Sequence, residues 1–202
     1  AREIVKKYAL HLSDEALSCL EAPTPKQLSN VEPHITGSVR ALCAAAQEAA
    51  QALGFQCRML TDCLDCEARE AGRFLASIAR SHQQTERPLA FFAGGETVVH
   101  LTGQGLGGRN QELALAAAPG LRGTQNTAVC SFGSDGTDGP TDAAGGFVDQ
   151  DSDAALCAAG YDAAQVLAEN DAYHALQKIG GLLMTGPTGT NVNDLAMVLI
   201  WR

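Results

Sequence analysis

The chain has 202 residues, 46% of them apolar and 18% charged, so it can bury a core and is too hydrophobic for disorder. Its 23 acidic and 14 basic residues leave a net charge of −9, which argues against non-specific binding to nucleic acid or to an anionic membrane. Glycine is frequent at 21 and aromatics are scarce at 5%, a balance suited to an α/β protein with glycine-rich loops.

Arg2–Tyr8 and Asp14–Leu20 read as short helices, followed by a polar, Pro-containing connector, "EAPTPKQLSNVEP". Val39–Leu53 is Ala-rich with apolar residues at helical spacing, and Gly54 stands where a helix C-terminal glycine belongs. "FQCRML" reads as a strand and Glu67–Arg80 as a helix. This alternation predicts a βαβ layer with a parallel sheet. "CLDC", Cys63 to Cys66, has CxxC spacing, but a structural zinc needs a second ligand pair and none follows. Seven cysteines, an odd number, fit reduced thiols in an intracellular protein, cytoplasmic or mitochondrial, better than a disulfide scaffold. No apolar run reaches the ~18 residues of a membrane span, and no signal peptide is visible.

"SHQQTERP", Ser81 to Pro88, is polar and aperiodic, and we read it as a linker dividing residues 1–85 from residues 86–202. Beyond it, "LAFFAG" and "ETVVHL" are strand-like runs separated only by Gly94-Gly95, which predicts a hairpin. Arg109–Ala118 reads as a helix, "TAVCSF" as a buried strand and "GGFVD" as a short one. Three short helices follow, at Asp153–Ala159, Ala163–Glu169 and Asp171–Ile179, and "LLMT" and "LAMVLIW" are strands. The second half is therefore α/β with a mixed sheet.

Three glycine-rich loops in this half each follow a strand-like run, and such loops gather at one edge of an α/β sheet. In "TGQGLGGRNQE", Gly103, Gly105 and Gly108 satisfy GxGxxG, and with Gly107 and Asn110 they form a candidate anion cradle before a helix. The acidic residue that a dinucleotide fingerprint places about 20 residues on is missing. Arg109, directly after the glycines, can clamp phosphate or carboxylate with parallel hydrogen bonds; the alternative is a surface ion pair. In "SFGSDGTDGPTDAAGG" the three aspartates fit neither a calcium loop nor a nucleophile elbow. Asp135 and Asp138 are candidates to hold magnesium beside substrate phosphates, and Gly136 and Thr137 are candidates to bind substrate or nucleotide. The equal alternative is a turn whose aspartates cap local amides. In "MTGPTGTNVND", Thr188, Gly189, Thr190 and Asn191 offer hydroxyl, amide and backbone donors to an anion, or form a turn. Glu96, after Gly95, is a candidate base, metal ligand or turn residue. His34, His100 and His174 lie far apart in sequence and match no catalytic spacing.

Together, "GGETVVHLTGQGLGGRNQELALAAA", "GSDGTDGPTDAAGGFVD", "LAENDAYHAL" and "LLMTGPTGTNVNDLAMVLI" resemble the C-terminal domain of glycerate kinases of the MOFRL, or glycerate 2-kinase, type. The likeness runs from about Pro88 to Arg202. Upstream, "ITGSVRALCAAAQEAAQALGF" and "CEAREAG" resemble the tail of that family's first, Rossmann-like domain. Glycine is usual there at the position of Cys66, which makes the CxxC incidental. The resemblance implies a partial Rossmann-like first domain before a mixed-sheet α/β second domain. It implies ATP-dependent phosphorylation of D-glycerate, at the 2-hydroxyl in preference, with Mg2+, in a cleft between two α/β domains. It maps the family's loop arginine onto Arg109 and assigns Asp135 to catalysis with it. It also implies that the chain begins inside the first domain, without the N-terminal half that carries a catalytic lysine. The missing half is then a partner of this chain, which alone is expected to show little or no kinase activity; ordinary turnover of D-glycerate with Mg-ATP would refute that. A homodimer is left open. The rival readings are an oxidoreductase of the hydroxypyruvate reductase type and a non-catalytic module that binds a phosphorylated metabolite or a partner domain.

Overall fold

A computed structural model describes all 202 residues, which fall into two compact units, Ala1–Ile35 and Thr36–Arg202. The first unit carries two one-and-a-half-turn helices, α1 (Arg2–Lys7) and α2 (Asp14–Cys19), neither with a buried residue. The Ser13 hydroxyl caps α2 by accepting from the Ala16 amide.

The second unit contains α3 (Val39–Ala52), β1 (Gln56–Leu64), α4 (Ala68–Ser81), β2 (Leu89–Gly95), α5 (Arg109–Leu121), β3 (Thr127–Gly133) and β4 (Gly145–Asp149). It continues with α6 (Ser152–Ala158), α7 (Ala163–Ala168), α8 (Ala172–Ile179), β5 (Leu182–Leu183) and β6 (Asp194–Ile200). The strands form one mixed sheet in the order β1-β2-β6-β3-β4-β5. Only β1 and β2 run parallel, joined through α4 as the βαβ reading predicts; the other pairs are antiparallel.

β2 is buried along its whole length, and its side chains alternate between two layers. Leu89, Phe91 and Ala93 join Val129, Val198 and Ile200 beneath α4 and α5, while Ala90 and Phe92 pack with Leu195 and Cys43 beneath α3. α5 lies at the centre of the larger layer and buries nearly every residue from Asn110 to Leu121. It meets α4 closely because Gly72 has no side chain: a Cβ there would lie 2.1 Å from the Leu113 carbonyl oxygen.

Two sequence expectations are corrected. Glu96–Leu101 is not the second arm of a hairpin. β2 already has β1 on one side and β6 on the other, so no sheet edge is free for it. The segment instead runs on beside the chain leaving β1, held by the Glu96 amide on the Leu64 carbonyl and the Val98 amide on the Cys66 carbonyl, with Val98 bridging Glu67 in parallel. Ser81–Pro88 is not a linker between compact bodies either. It joins α4 to β2 within one sheet, and the contact boundary falls at Ile35 and Thr36. No helix is long and apolar enough to cross a membrane.

Candidate functional site

The antiparallel placement of β6 between β2 and β3 brings three chain ends to one sheet edge. Gly95 at the end of β2, Asp194 at the start of β6 and Gly133 at the end of β3 are register partners. The loops that leave or enter there are the three glycine-rich loops picked out in the sequence. Their gathering at one edge follows from strand order alone.

Arg109 opens α5 above this edge. Its guanidinium donates from Nε to Asp194 Oδ2 at 2.5 Å and from Nη2 to Asp194 Oδ1 at 3.0 Å, a two-point clamp. Glu96 Oε1 lies 3.4 Å from Nη2. The hydrogen bond to Asp194, opposed by partial burial, holds Arg109 above its usual pKa. Glu96 also accepts from Asn193 Nδ2 at 3.3 Å, which ties the first loop to the third. Arg109 is thus a fixed cation with its Nη1 face left over, and Asp194, buried at 6% exposure, is the residue that fixes it.

The glycines of the first loop serve packing rather than an open phosphate turn. The corner between α7 and α8 acts as a mould. A Cβ on Gly103 would lie 2.3 Å from the Glu169 backbone, and one on Gly105 2.5 Å from the Asp171 Cβ. One on Gly108 would lie 2.3 Å from the Asp138 carboxylate carbon. Gly107 is less tightly enclosed, a Cβ there lying 3.3 Å from the Ala172 nitrogen and the Asn170 carbonyl oxygen. The amides of Gly107, Gly108 and Arg109 meet no protein acceptor, and these three residues line the cleft.

Asp138 is the main correction to the candidate metal set. It is 2% exposed, and both its oxygens are occupied. Oδ1 accepts from the Asn110 amide at 3.1 Å and from Asn110 Nδ2 at 3.2 Å; Oδ2 accepts from the Gln111 amide at 2.9 Å. It is an internal anion on the N-terminus of α5, the turn alternative realised at long range. Burial raises its pKa, with the two amide hydrogen bonds opposing. Asn110 leaves the ligand set for the same reason, since its Oδ1 accepts from Ser131 Oγ at 2.5 Å. A dinucleotide pyrophosphate would need the amides that Asp138 holds.

Asp135 differs. It is half-buried at the end of β3, with Oδ1 accepting from the Thr137 amide at 3.0 Å and Oδ2 from Asn191 Nδ2 at 3.2 Å. The third loop docks on it: the Thr188 amide donates to the Asp135 carbonyl, and the Thr188 hydroxyl to the Ser134 carbonyl at 2.6 Å. Gly136 takes φ +84° and packs against Gly186, where a Cβ would sit 2.0 Å from the carbonyl oxygen. Gly189 turns at φ +77° and Thr190 is exposed beside it. Asp142, the third aspartate, accepts from the Tyr173 hydroxyl at 2.7 Å, away from Asp135.

A cleft of about 680 Å³ opens over the edge, with Val98, Leu101 and Pro140 as apolar wall and Glu96, Gly107 and Arg109 as polar end. A second hollow, about 400 Å³, lies on the α3 side between Ser38, Phe132 and Thr188. The structure therefore unites Arg109, Glu96, Gly95, Asp135 and the Thr188 loop at the edge and withdraws Asp138 and Asn110 into the interior. Asp194, Glu112 and Asn170 were missed as site residues. A carboxylate opening the last strand signals Asp194, and an asparagine at a helix-to-helix corner, where left-handed backbone favours it, signals Asn170.

These features define an α/β module with a cation and a ring of free amides over the end of a mixed sheet. The chain belongs to the MOFRL family, whose model matches residues 89–194. It is 52% identical over 204 residues to a D-glycerate 2-kinase of Thermotoga maritima, covering 99% of this chain and 49% of that protein. A crystal structure of glycerate kinase from Thermotoga maritima superposes with a TM-score of 0.85 at 52% identity, covering 99% of this chain and 49% of that one. A protein of Agrobacterium vitis named a putative hydroxypyruvate reductase is 37% identical over 99% of this chain and 48% of its own length. The chain spans about half the length of the curated relatives it matches.

Proposed function

We propose that this chain supplies one wall of a glycerate kinase active site, in which ATP phosphorylates D-glycerate, at the 2-hydroxyl in preference. The observation that carries the reading is Arg109, clamped by Asp194 beside the free amides of Gly107 and Gly108. Phosphoryl transfer requires positioning and neutralisation of charge more than covalent chemistry by the protein. A guanidinium held from behind cannot swing away, so its remaining donors are aimed before the ligand arrives. The amides bind phosphate or carboxylate oxygens, and the exposed apolar side chains of Val98 and Leu101 border them.

Asp135 fits a magnesium site. Its carboxylate is accessible and stands at the edge with Thr137 and Asn191 as neutral neighbours, and magnesium is commonly held by one or two carboxylates plus substrate phosphates. Bound there with nucleotide, the ion would neutralise phosphate charge. Asp138 holds helix amides instead and takes no part. From the odd cysteine count we place the protein in a reducing compartment, cytoplasm or mitochondrion.

The oxidoreductase reading has a relative's name in its favour and the occupied α5 amides against it. One experiment separates the two: incubate the complete protein with D-glycerate and Mg-ATP, and separately with hydroxypyruvate and a reduced nicotinamide. ADP and phosphoglycerate from the first mixture are expected, with phosphorus NMR locating the new phosphoester. Nicotinamide oxidation without ATP consumption would sink the kinase reading.

A further inference from the structure

Asn170 lies between α7 and α8, 4% exposed, with φ +54°. Its carboxamide is fully engaged. Oδ1 accepts from the Thr102 amide at 2.7 Å and the Gly103 amide at 2.9 Å; Nδ2 donates to the His100 carbonyl at 3.1 Å and to Glu112 Oε1 at 2.6 Å. Its neighbours continue the grip. The Glu169 carbonyl accepts from the Gly105 amide, and Asp171 Oδ1 accepts from the Leu106 amide at 2.9 Å. The far side of Asn170 is anchored in the core, since Glu112 is 1% exposed and accepts from Arg69 Nη2 at 3.3 Å.

We propose that Asn170 is a positioning residue: it fixes the loop His100–Leu106 so that the following amides of Gly107, Gly108 and Arg109 face the cleft. The inference rests on the reading of that cleft as a phosphoryl-transfer site. A non-glycine residue in left-handed backbone carries a conformational cost, and here the side chain returns four hydrogen bonds to a segment 67 to 70 residues away and to α5. Asn170 borders the cleft, but its carboxamide atoms are bonded to the loop and to Glu112, so its action on a ligand runs through the loop. The glycines at 103 and 105 complete the fit, since the corner occupies the space a side chain would need.

Asn170→Gly in the complete protein removes the carboxamide while leaving a residue at ease in left-handed backbone. The KM for ATP or for D-glycerate is expected to rise about tenfold or more, with a smaller fall in kcat, because misplacement by ~1 Å is enough for such losses. Amide hydrogen exchange should accelerate at Thr102 and Gly103 while the β3 and β6 amides keep parental rates. Should Asn170→Gly fail to fold, Asn170→Asp carries the KM arm alone: Oδ1 still accepts from the Thr102 and Gly103 amides, the two bonds donated to His100 and Glu112 go, and a KM rise is expected. Both KM values within about twofold of the parent, or a kcat loss with KM unchanged, would overturn the proposal. A parent without kinase turnover would sink the functional reading, and the exchange experiment would still decide this one. Unchanged exchange at Thr102 and Gly103 in folded Asn170→Gly overturns it.

Discussion

At the residue scale, charge does the organising. Arg109→Ala should lower kcat/KM by on the order of 10²–10³, the loss typical of one preorganised donor. It also strands Asp194, which is 6% exposed, without its partner, and that should lower Tm. Adding Asp194→Asn should restore Tm without restoring activity; recovery of activity in the double variant would show that the cation is not needed. Glu112 makes a second prediction. Burial, first among its causes, raises its pKa above 4.5. The native state then keeps a proton that the unfolded chain has lost, so this group's contribution to stability falls as pH rises from about 4.5 through the raised value. Glu112→Gln has no such loss. The Tm of the variant relative to the parent should improve between pH ~4.5 and neutrality, and a flat or declining difference in thermal melts would contradict this.

At the scale of elements, the glycine loop separates two roles that its sequence merges. Gly103→Ala drives a methyl into the Glu169 backbone at 2.3 Å and should cost stability, read as a lower Tm. Gly107→Ala meets backbone at 3.3 Å, a milder squeeze, so its Tm should fall less than that of Gly103→Ala. If the Gly107 amide faces ligand, activity in the folded variant should drop; parental activity would remove it from the cradle. Much of this was legible. Apolar runs and glycine punctuation located nearly every helix and strand, and Arg109 stood out because it follows three glycines. The hairpin failed because local spacing carries no information about which sheet edges are already occupied. The role of Asp138 was illegible for a related reason: its partners, Asn110 and Gln111, lie 28 and 27 residues away, and its loop reads the same whether a carboxylate faces solvent or a helix end.

At the scale of the molecule, the sheet has a protected middle and weak flanks. β2, β6 and β3 are paired on both sides, whereas β1 has one open edge and β5 is two residues long. Native-state hydrogen exchange should find the slowest amides in β2, β3, β6 and α5, with β5 and the outward amides of β1 opening locally at much lower cost. Uniform protection across all six strands would contradict that ordering. The acidic surface, net −9, should keep the protein from retention on anionic resins and nucleic acid at low salt.

The place of β6 has a consequence for how the molecule is made. It is the last strand in sequence, yet it fills the gap between β2 and β3. A nascent chain can form the β1-α4-β2 unit and the β3-β4 hairpin early, but the two remain separate ribbons with exposed facing edges until Asp194–Ile200 leaves the ribosome. The same insertion delivers Asp194 to Arg109, 85 residues earlier. Completion of the sheet and arming of the guanidinium are therefore one event, and a chain stalled before residue 194 would offer a chaperone two sticky edges and no assembled site.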